Sequence, residues 1–216
     1  MKKVVVKILS AIVVMAVCIG CGGGNDRMRM TVEGSGEVSI ILTGSGTVTI
    51  DWGDGSDRTT RELDREGWFS KTYAGLGRHT ITITGNDITG LGWGIDTRGS
   101  RMQGGATLTS LDVRRNPKLM RLDVRNTQLA SLDLSRNTAL TVLNVENNQL
   151  TSLDLSRNTK LFELWVNRNQ LTTSALNALL ESLPQAHRRS YVFIGNNPGT
   201  SEANRNIATT KGWRVY

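Results

Sequence analysis

His79 and His187 are the two histidines of this 216-residue chain, and imidazole is the side chain best suited to general acid–base work near neutral pH. Neither stands in catalytic company. His79 sits among alternating threonines and isoleucines that read as a strand, and His187 lies beside Arg188 and Arg189 in a loop. The sequence has no nucleophile elbow, phosphate-binding glycine loop or paired metal-ligand spacing, so it is not expected to be an enzyme, and no cofactor is implied. Asp51, Asp54 and Asp57 could suggest a calcium loop. Such a loop needs oxygen ligands at alternating positions, where this chain has Gly53 and Gly55. Asp54-Gly55 reads instead as a hairpin turn, and no metal is expected.

A third set of carboxylates, Asp112, Asp133 and Asp154, recurs at a fixed interval. Stacked strands would bring them about 4.8 Å apart, close enough to be mistaken for a catalytic pair. Arg115, Arg136 and Arg157 recur in step and are expected to neutralise them. The positions that vary are more informative: Arg121, Asp123 and Arg125, then Val142, Asn144 and Glu146, then Glu163, Trp165 and Asn167. These nine residues turn away from the apolar positions between them and form the candidate ligand-binding face. Trp165 stands where neighbouring copies have Asp123 and Asn144, an aromatic in a polar row, and aromatics with arginine dominate interface energies.

The elements that must hold these residues are repeats. Leu108-Thr-Ser-Leu111-Asp-Val113-Arg-Arg-Asn116 returns from Leu129 to Asn137 and from Leu150 to Asn158, a period of 21 residues. A second copy is interleaved: Leu119, Leu122, Val124 and Thr127, then Leu140, Leu143, Val145 and Asn148, then Leu161, Leu164, Val166 and Asn169. Alternation at Leu-x-Leu puts two side chains on one face of a short strand, and a single coil cannot bury that face, so coils must stack. The recurring asparagines are expected to satisfy backbone groups at the bends. The spacing Leu-x-x-Leu-x-Leu-x-x-Asn resembles that of leucine-rich repeats, and the nesting of two similar halves resembles a bacterial subclass of them. The resemblance implies a short solenoid over residues 86–171 that binds rather than catalyses.

Upstream, residues 28–85 read as strands at 28–32, 38–42, 47–51 and 80–84. The turn Trp52-Gly53-Asp54-Gly55, with Lys71-Thr-Tyr73 and His79-Thr-Ile-Thr-Ile83 after it, resembles the PKD-like β-sandwich of extracellular proteins. Asn86, Ile88 and Leu91 fall at the repeat spacing, so the last strand of this domain is expected to feed directly into the first coil. The glycine-rich stretch 92–107, which contains Trp93, is expected to be irregular. Downstream, residues 172–216 read as a cap over the open solenoid end. It comprises a helix through Leu176, Leu179, Leu180 and Leu183 ended by Pro184, a strand at 191–194, a turn at 196–199, a helix at 201–211 and a last strand at 213–216.

The N-terminus carries Lys2 and Lys3, an apolar run from Ile8 to Ile19, and Gly20 before Cys21. That pattern reads as a signal peptide over residues 1–20, too short to span a membrane comfortably. Cys18-Ile-Gly-Cys21 resembles the lipobox of bacterial lipoproteins. The resemblance implies lipidation of Cys21, residues 21–27 as a tether, and a place at the outer membrane or cell surface. The alternative is an ordinary secretory signal with an incidental cysteine. Removing Lys2, Lys3 and Lys7 takes the formal net charge from +7 to +4, and no block of like charge remains, so no nucleic-acid partner is expected. The two cysteines both lie at the signal boundary, which leaves packing to stabilise the mature chain.

The sequence therefore describes a mainly β protein with some α: a small β-sandwich joined to a short leucine-rich-repeat solenoid with an α/β C-terminal cap. It is expected to be a monomer that contacts the membrane through its lipid alone and binds a protein or peptide on the repeat face. The alternative ligand is a glycan, stacked on Trp165, Trp93 and Trp68.

Overall fold

The structure, a computed structural model, describes residues 26–94 and 105–216. The expected signal, Cys21, most of the tether and residues 95–104 of the glycine-rich stretch lie outside the described residues. The chain is mainly β with a few helices. Its strands are β1 Arg27–Asp51, β2 Thr59–Leu63, β3 Glu66–Thr84, β4 Asp87–Trp93, β5 Thr107–Asp112, β6 Arg121–Asp123, β7 Val142–Asn144, β8 Glu163–Trp165, β9 Ser190–Phe193 and β10 Trp213–Val215, and its helices are α1 Thr173–Ser182 and α2 Asn206–Thr209.

Three separately expected strands, 28–32, 38–42 and 47–51, are one bent strand, β1. The glycines between them take positive φ, 111° at Gly34 and 101° at Gly36. They bulge the strand instead of reversing it, and the register against β3 shifts between them. Each part of β1 then pairs differently. Its start lies antiparallel to the end of β3 and to β5, its middle to the start of β3 and to β4, and its end to β2. Because the end of β3 also reaches the end of β1, Ile83 faces both Met28 and Ile50. Alternation buries Met28, Met30, Val32, Ile40, Leu42, Val48, Ile50, Ile81 and Ile83 together.

The Trp52–Gly55 turn is tied down by side chains. Tyr73 donates through its hydroxyl to the Trp52 carbonyl at 2.7 Å, and the Trp52 indole donates to Thr59 Oγ1 at 2.9 Å. Gly53 has φ 72°, and a Cβ there would run into the Thr80 carbonyl, so the position accepts only glycine.

β4 belongs to two regions at once. It runs antiparallel to β1, with Leu91 opposite Leu42, and parallel to β6, with Leu91 opposite Leu122. Beyond it, β6, β7 and β8 pair in parallel at an offset of 21 residues, Leu122 beside Leu143 beside Leu164, all fully buried. The interleaved copies thus supply the strands. Of the other copies, the first forms β5 against β1, and the later ones run without regular strand into turns, as where Asn137 N–H donates to the Leu134 carbonyl. Two asparagine ladders join the coils. Asn137 and Asn158 each donate through Nδ2 to two carbonyls of the preceding coil. At the other bend Asn148 and Asn169 each donate through Nδ2 to one carbonyl of the preceding coil, Val124 and Val145, and to carbonyls of their own coil, while their Oδ1 atoms accept from Leu129 and Leu150 N–H.

The segment expected as a cap continues this sheet. β9 adds parallel to β8 and β10 parallel to β9. Asn197, read from sequence as part of a turn, carries the ladder one rung further: Nδ2 donates to the Val166 and Ile194 carbonyls, and Oδ1 accepts from Leu171 N–H. The reason is spacing, since Val192-x-Ile194-x-x-Asn197 repeats the strand half of a coil. α1 is capped by Thr172, whose side chain accepts from Ala175 N–H, and buries Leu176, Leu179 and Leu180. The expected helix over 201–211 contracts to the four residues of α2.

Candidate binding surface

Residues directly opposite one another in paired strands share a face. Following the register outward gives two rows that cross both regions. One runs Trp68, Ile41, Gly92, Asp123, Asn144, Trp165, Phe193; the other runs Glu66, Thr43, Gly90, Arg121, Val142, Glu163, Tyr191, Arg214. β4 contributes only glycines to these rows. With no side chain there, the face dips into a groove of about 460 Å³ whose floor is Gly90 and Gly92. The glycine is also a steric requirement, because a Cβ at Gly90 would collide with Thr43 Oγ1.

Seven of the nine residues named from sequence line this groove: Arg121, Asp123, Arg125, Val142, Asn144, Glu146 and Trp165. Glu163 and Asn167 lie beyond its lining. Val142 and Asn144 turn outward as expected but are 6% and 8% exposed, because neighbouring strands close over short side chains in a concave face. Asn144 Oδ1 accepts from Glu146 N–H at 3.1 Å, so Asn144 is a structural residue as well as an outward one.

The charges of the groove are partly matched. Asp123 lies 3.4 Å from Arg125, and Glu146 lies 3.6 Å from Arg168. Burial nonetheless pushes the Asp123 carboxyl above the usual carboxylate range, with Arg125 pulling the other way. At the far end, Trp165 is half-buried and stacks on Phe193 with ring centroids 5.6 Å apart; Phe193 in turn stacks on Tyr216 at 4.9 Å. Phe193 thus covers one face of the Trp165 ring, and Trp165 also lines the groove.

Sequence reasoning missed both ends of this surface. Ile41, Thr43 and Glu66 come from the other region, and pairing between β1 and β4 leaves no local signal, whereas Gly90 and Gly92 flank Leu91 at the repeat spacing and are legible as outward positions. Tyr191 and Phe193 also carry a signal: they are the outward positions of the segment whose inward positions are Val192 and Ile194.

The remaining candidates are tied up structurally. His79 stacks on Tyr73 at 4.1 Å. His187 lies in a different part of the chain, beside Phe162, over which Arg188 places its guanidinium at 4.5 Å. Asp51 accepts from Gly53 N–H and Asp54 from Ser56 N–H and Lys71, and among the described residues no cluster fit to hold a metal ion occurs. The hydrogen bonds of the Asp112, Asp133 and Asp154 row come from two residues on, while Arg115 and Arg157 act on Asp112 and Asp154 through charge as expected and Arg114 takes that part at Asp133. Asp112 accepts from both the N–H and the guanidinium of Arg114, Asp133 from Ser135 N–H and Asp154 from Ser156 N–H. Of the tryptophans considered for a glycan, Trp93 is 6% exposed and points into the core. Trp68 bonds Ser39 Oγ at 3.2 Å.

No protein-family model matches the chain, and no curated protein does. Among solved structures, the functional domain of InlJ from Listeria monocytogenes, described as including a cysteine ladder, is similar at 32% identity and a TM-score of 0.38. The similarity covers 47% of this chain and 21% of that one, so the chain spans about a fifth of that protein's length.

Proposed function

We propose that this chain is a lipid-anchored surface protein that captures a protein or peptide partner on the groove between β1 and β8 and does no chemistry on it. In this proposal residues 1–20 are removed, Cys21 is acylated, a PKD-like sandwich spaces the binding face from the membrane, and a leucine-rich-repeat solenoid carries it. The observation that supports binding is the convergence of seven outward repeat positions, of different chemistry in each coil, on one groove. Positions that serve packing repeat, as Leu122, Leu143 and Leu164 do; positions free to vary are where specificity is written.

Two measurements test this reading. Immobilised mature protein and its Trp165→Ala variant are offered surface-protein extracts and a glycan array in parallel. A protein held by the parent and lost by the variant, measured where the variant is still folded because losing the Phe193 stack and half-buried indole area should cost about 1–3 kcal/mol, supports the proposal. Equal retention by both would place the site elsewhere, and capture of glycans alone would replace the ligand class. For the anchor, Cys21→Ser should abolish fatty-acid labelling, and a variant that still partitions into detergent like the parent would remove the lipoprotein assignment.

A further inference from the structure

The sheet that carries the groove ends at β10, and that end is open. Tyr216 donates through its N–H to the Val192 carbonyl, and its own C=O accepts from Ile194 N–H, both at 2.9 Å. Main-chain groups of a strand alternate between its two sides, so Val215, one residue earlier, turns its N–H and C=O away from β9. Among the described residues no strand pairs with β10 on that side. The side chains at this edge are equally incomplete. Tyr216 is 50% exposed; Phe193 covers one face of its ring at 4.9 Å, so the other face is turned away from β9 and toward the open edge. Val215, on the inner side, is half-buried and has no strand beyond it. Free main-chain groups, an apolar side chain and an uncovered ring together form a template for one more strand.

The residues of β10 select the occupant. Homo-oligomers close most often about a two-fold axis, which requires a surface complementary to itself. A second β10 can lie antiparallel to the first in two ways that use the Val215 main chain. With Arg214 on the axis, the arginines of the two copies stand directly opposite, and like charges so placed repel. With Val215 on the axis, the copies exchange both Val215 N–H···O=C bonds, the two valines meet on the inner face, and Arg214 of each copy lies across from Tyr216 of the other. Arg214 is exposed and already approaches one ring, that of Tyr191, at 5.9 Å; across the axis it meets the uncovered ring of Tyr216 as a cation over an aromatic face. One register is attractive in both main chain and side chain, and the neighbouring one is repulsive.

We infer that the chain pairs with a second copy of itself through β10, in the register that sets Val215 against Val215. The axis of such a pair stands perpendicular to the sheet, so the outward faces of both copies look the same way and the two grooves lie on one continuous surface. The use of this arrangement rests on the binding role proposed above: a ligand that displays two segments is held at both grooves and gains avidity.

The test is sedimentation equilibrium over a concentration series, with the whole mature chain carrying Cys21→Ser so that no lipid associates it. The parent should move between monomer and dimer. Arg214→Glu, an exposed change that leaves the fold intact, should weaken the dimer roughly tenfold, because each dimer contains two of the cation–ring contacts. Tyr216→Ala should weaken it similarly and Tyr216→Phe should restore it. Val215→Pro removes the N–H at the open edge and should leave a monomer. A parent that stays monomeric throughout the series would overturn the inference, and so would a dimer indifferent to Arg214→Glu and Tyr216→Ala. Trp165→Ala should leave the equilibrium unchanged while abolishing capture, so failure of the pairing and failure of the binding face are read separately.

Discussion

From Leu119 to Asn169 the chain returns to the same strand position every 21 residues, and each coil is held to the last by asparagine Nδ2 atoms reaching back to its carbonyls. From Arg27 to Thr84 nothing recurs. Two long strands bend at bulges and meet each other twice, so that Ile83 is opposite both Met28 and Ile50. The two regions nevertheless share one sheet through β4. In the repeats, neighbours in space are separated by one fixed interval and each residue type can be placed by counting. In the bent strands, glycine geometry decides where the register slips. Regularity comes from packing identical coils, and irregularity from closing a sheet onto itself.

The largest test of this contrast is in the repeats. Leu143 is fully buried, so Leu143→Ala should cost about 2–5 kcal/mol, measured by denaturant unfolding. Asn144→Ala next to it, which a purely outward position would tolerate, should cost about 1 kcal/mol because Glu146 N–H loses its acceptor. Equal losses at the two positions would mean the inward register is wrong.

In the bent region the sensitive residue is a glycine. Gly53→Ala forces a side chain against the Thr80 carbonyl at φ 72° and should cost roughly 1–3 kcal/mol. A variant that melts with the parent would show the turn to be adaptable.

A smaller effect, of opposite sign, is expected at Arg168. It has φ 57°, in the same left-handed position that Asn126, Asn147 and Asn196 occupy in the other coils. Asparagine tolerates that geometry better than arginine. Arg168→Asn should raise stability by about 0.5 kcal/mol, the gain being limited by loss of the exposed pair with Glu146.

The smallest effects are in pH dependence, where two carboxylates on opposite faces should differ in sign. The Arg114 guanidinium holds Asp112 down to about 2, so its contribution is present above its unfolded pKa and is lost as pH falls toward 2. Burial raises Asp123. Its contribution is present below its unfolded pKa and is lost as pH rises through the raised value. Compared with the parent, Asp112→Asn should lose relative stability and Asp123→Asn gain it as pH is taken from acid to neutral. Parallel profiles would contradict this assignment.

The sequence by itself determined the period, the inward leucines, the asparagines at the bends and most of the outward face. Each of these follows from the alternation of a strand and the need of one coil to stack on the next, conditions that local spacing records. It also carried the helix through Leu176 and its stop at Pro184. Tertiary structure alone decided that strands 28–32, 38–42 and 47–51 are one, since whether a glycine reverses or merely bulges a strand depends on the partner waiting beside it. It decided, too, that β4, which the repeat spacing already sets beside β6, also pairs with β1, and so that Gly90 and Gly92 become the floor of a groove with Glu66 on one side and Arg121 on the other. Those residues lie far apart in the chain, and their meeting is set by non-local hydrogen-bond register, which leaves no mark on the residues near any one of them.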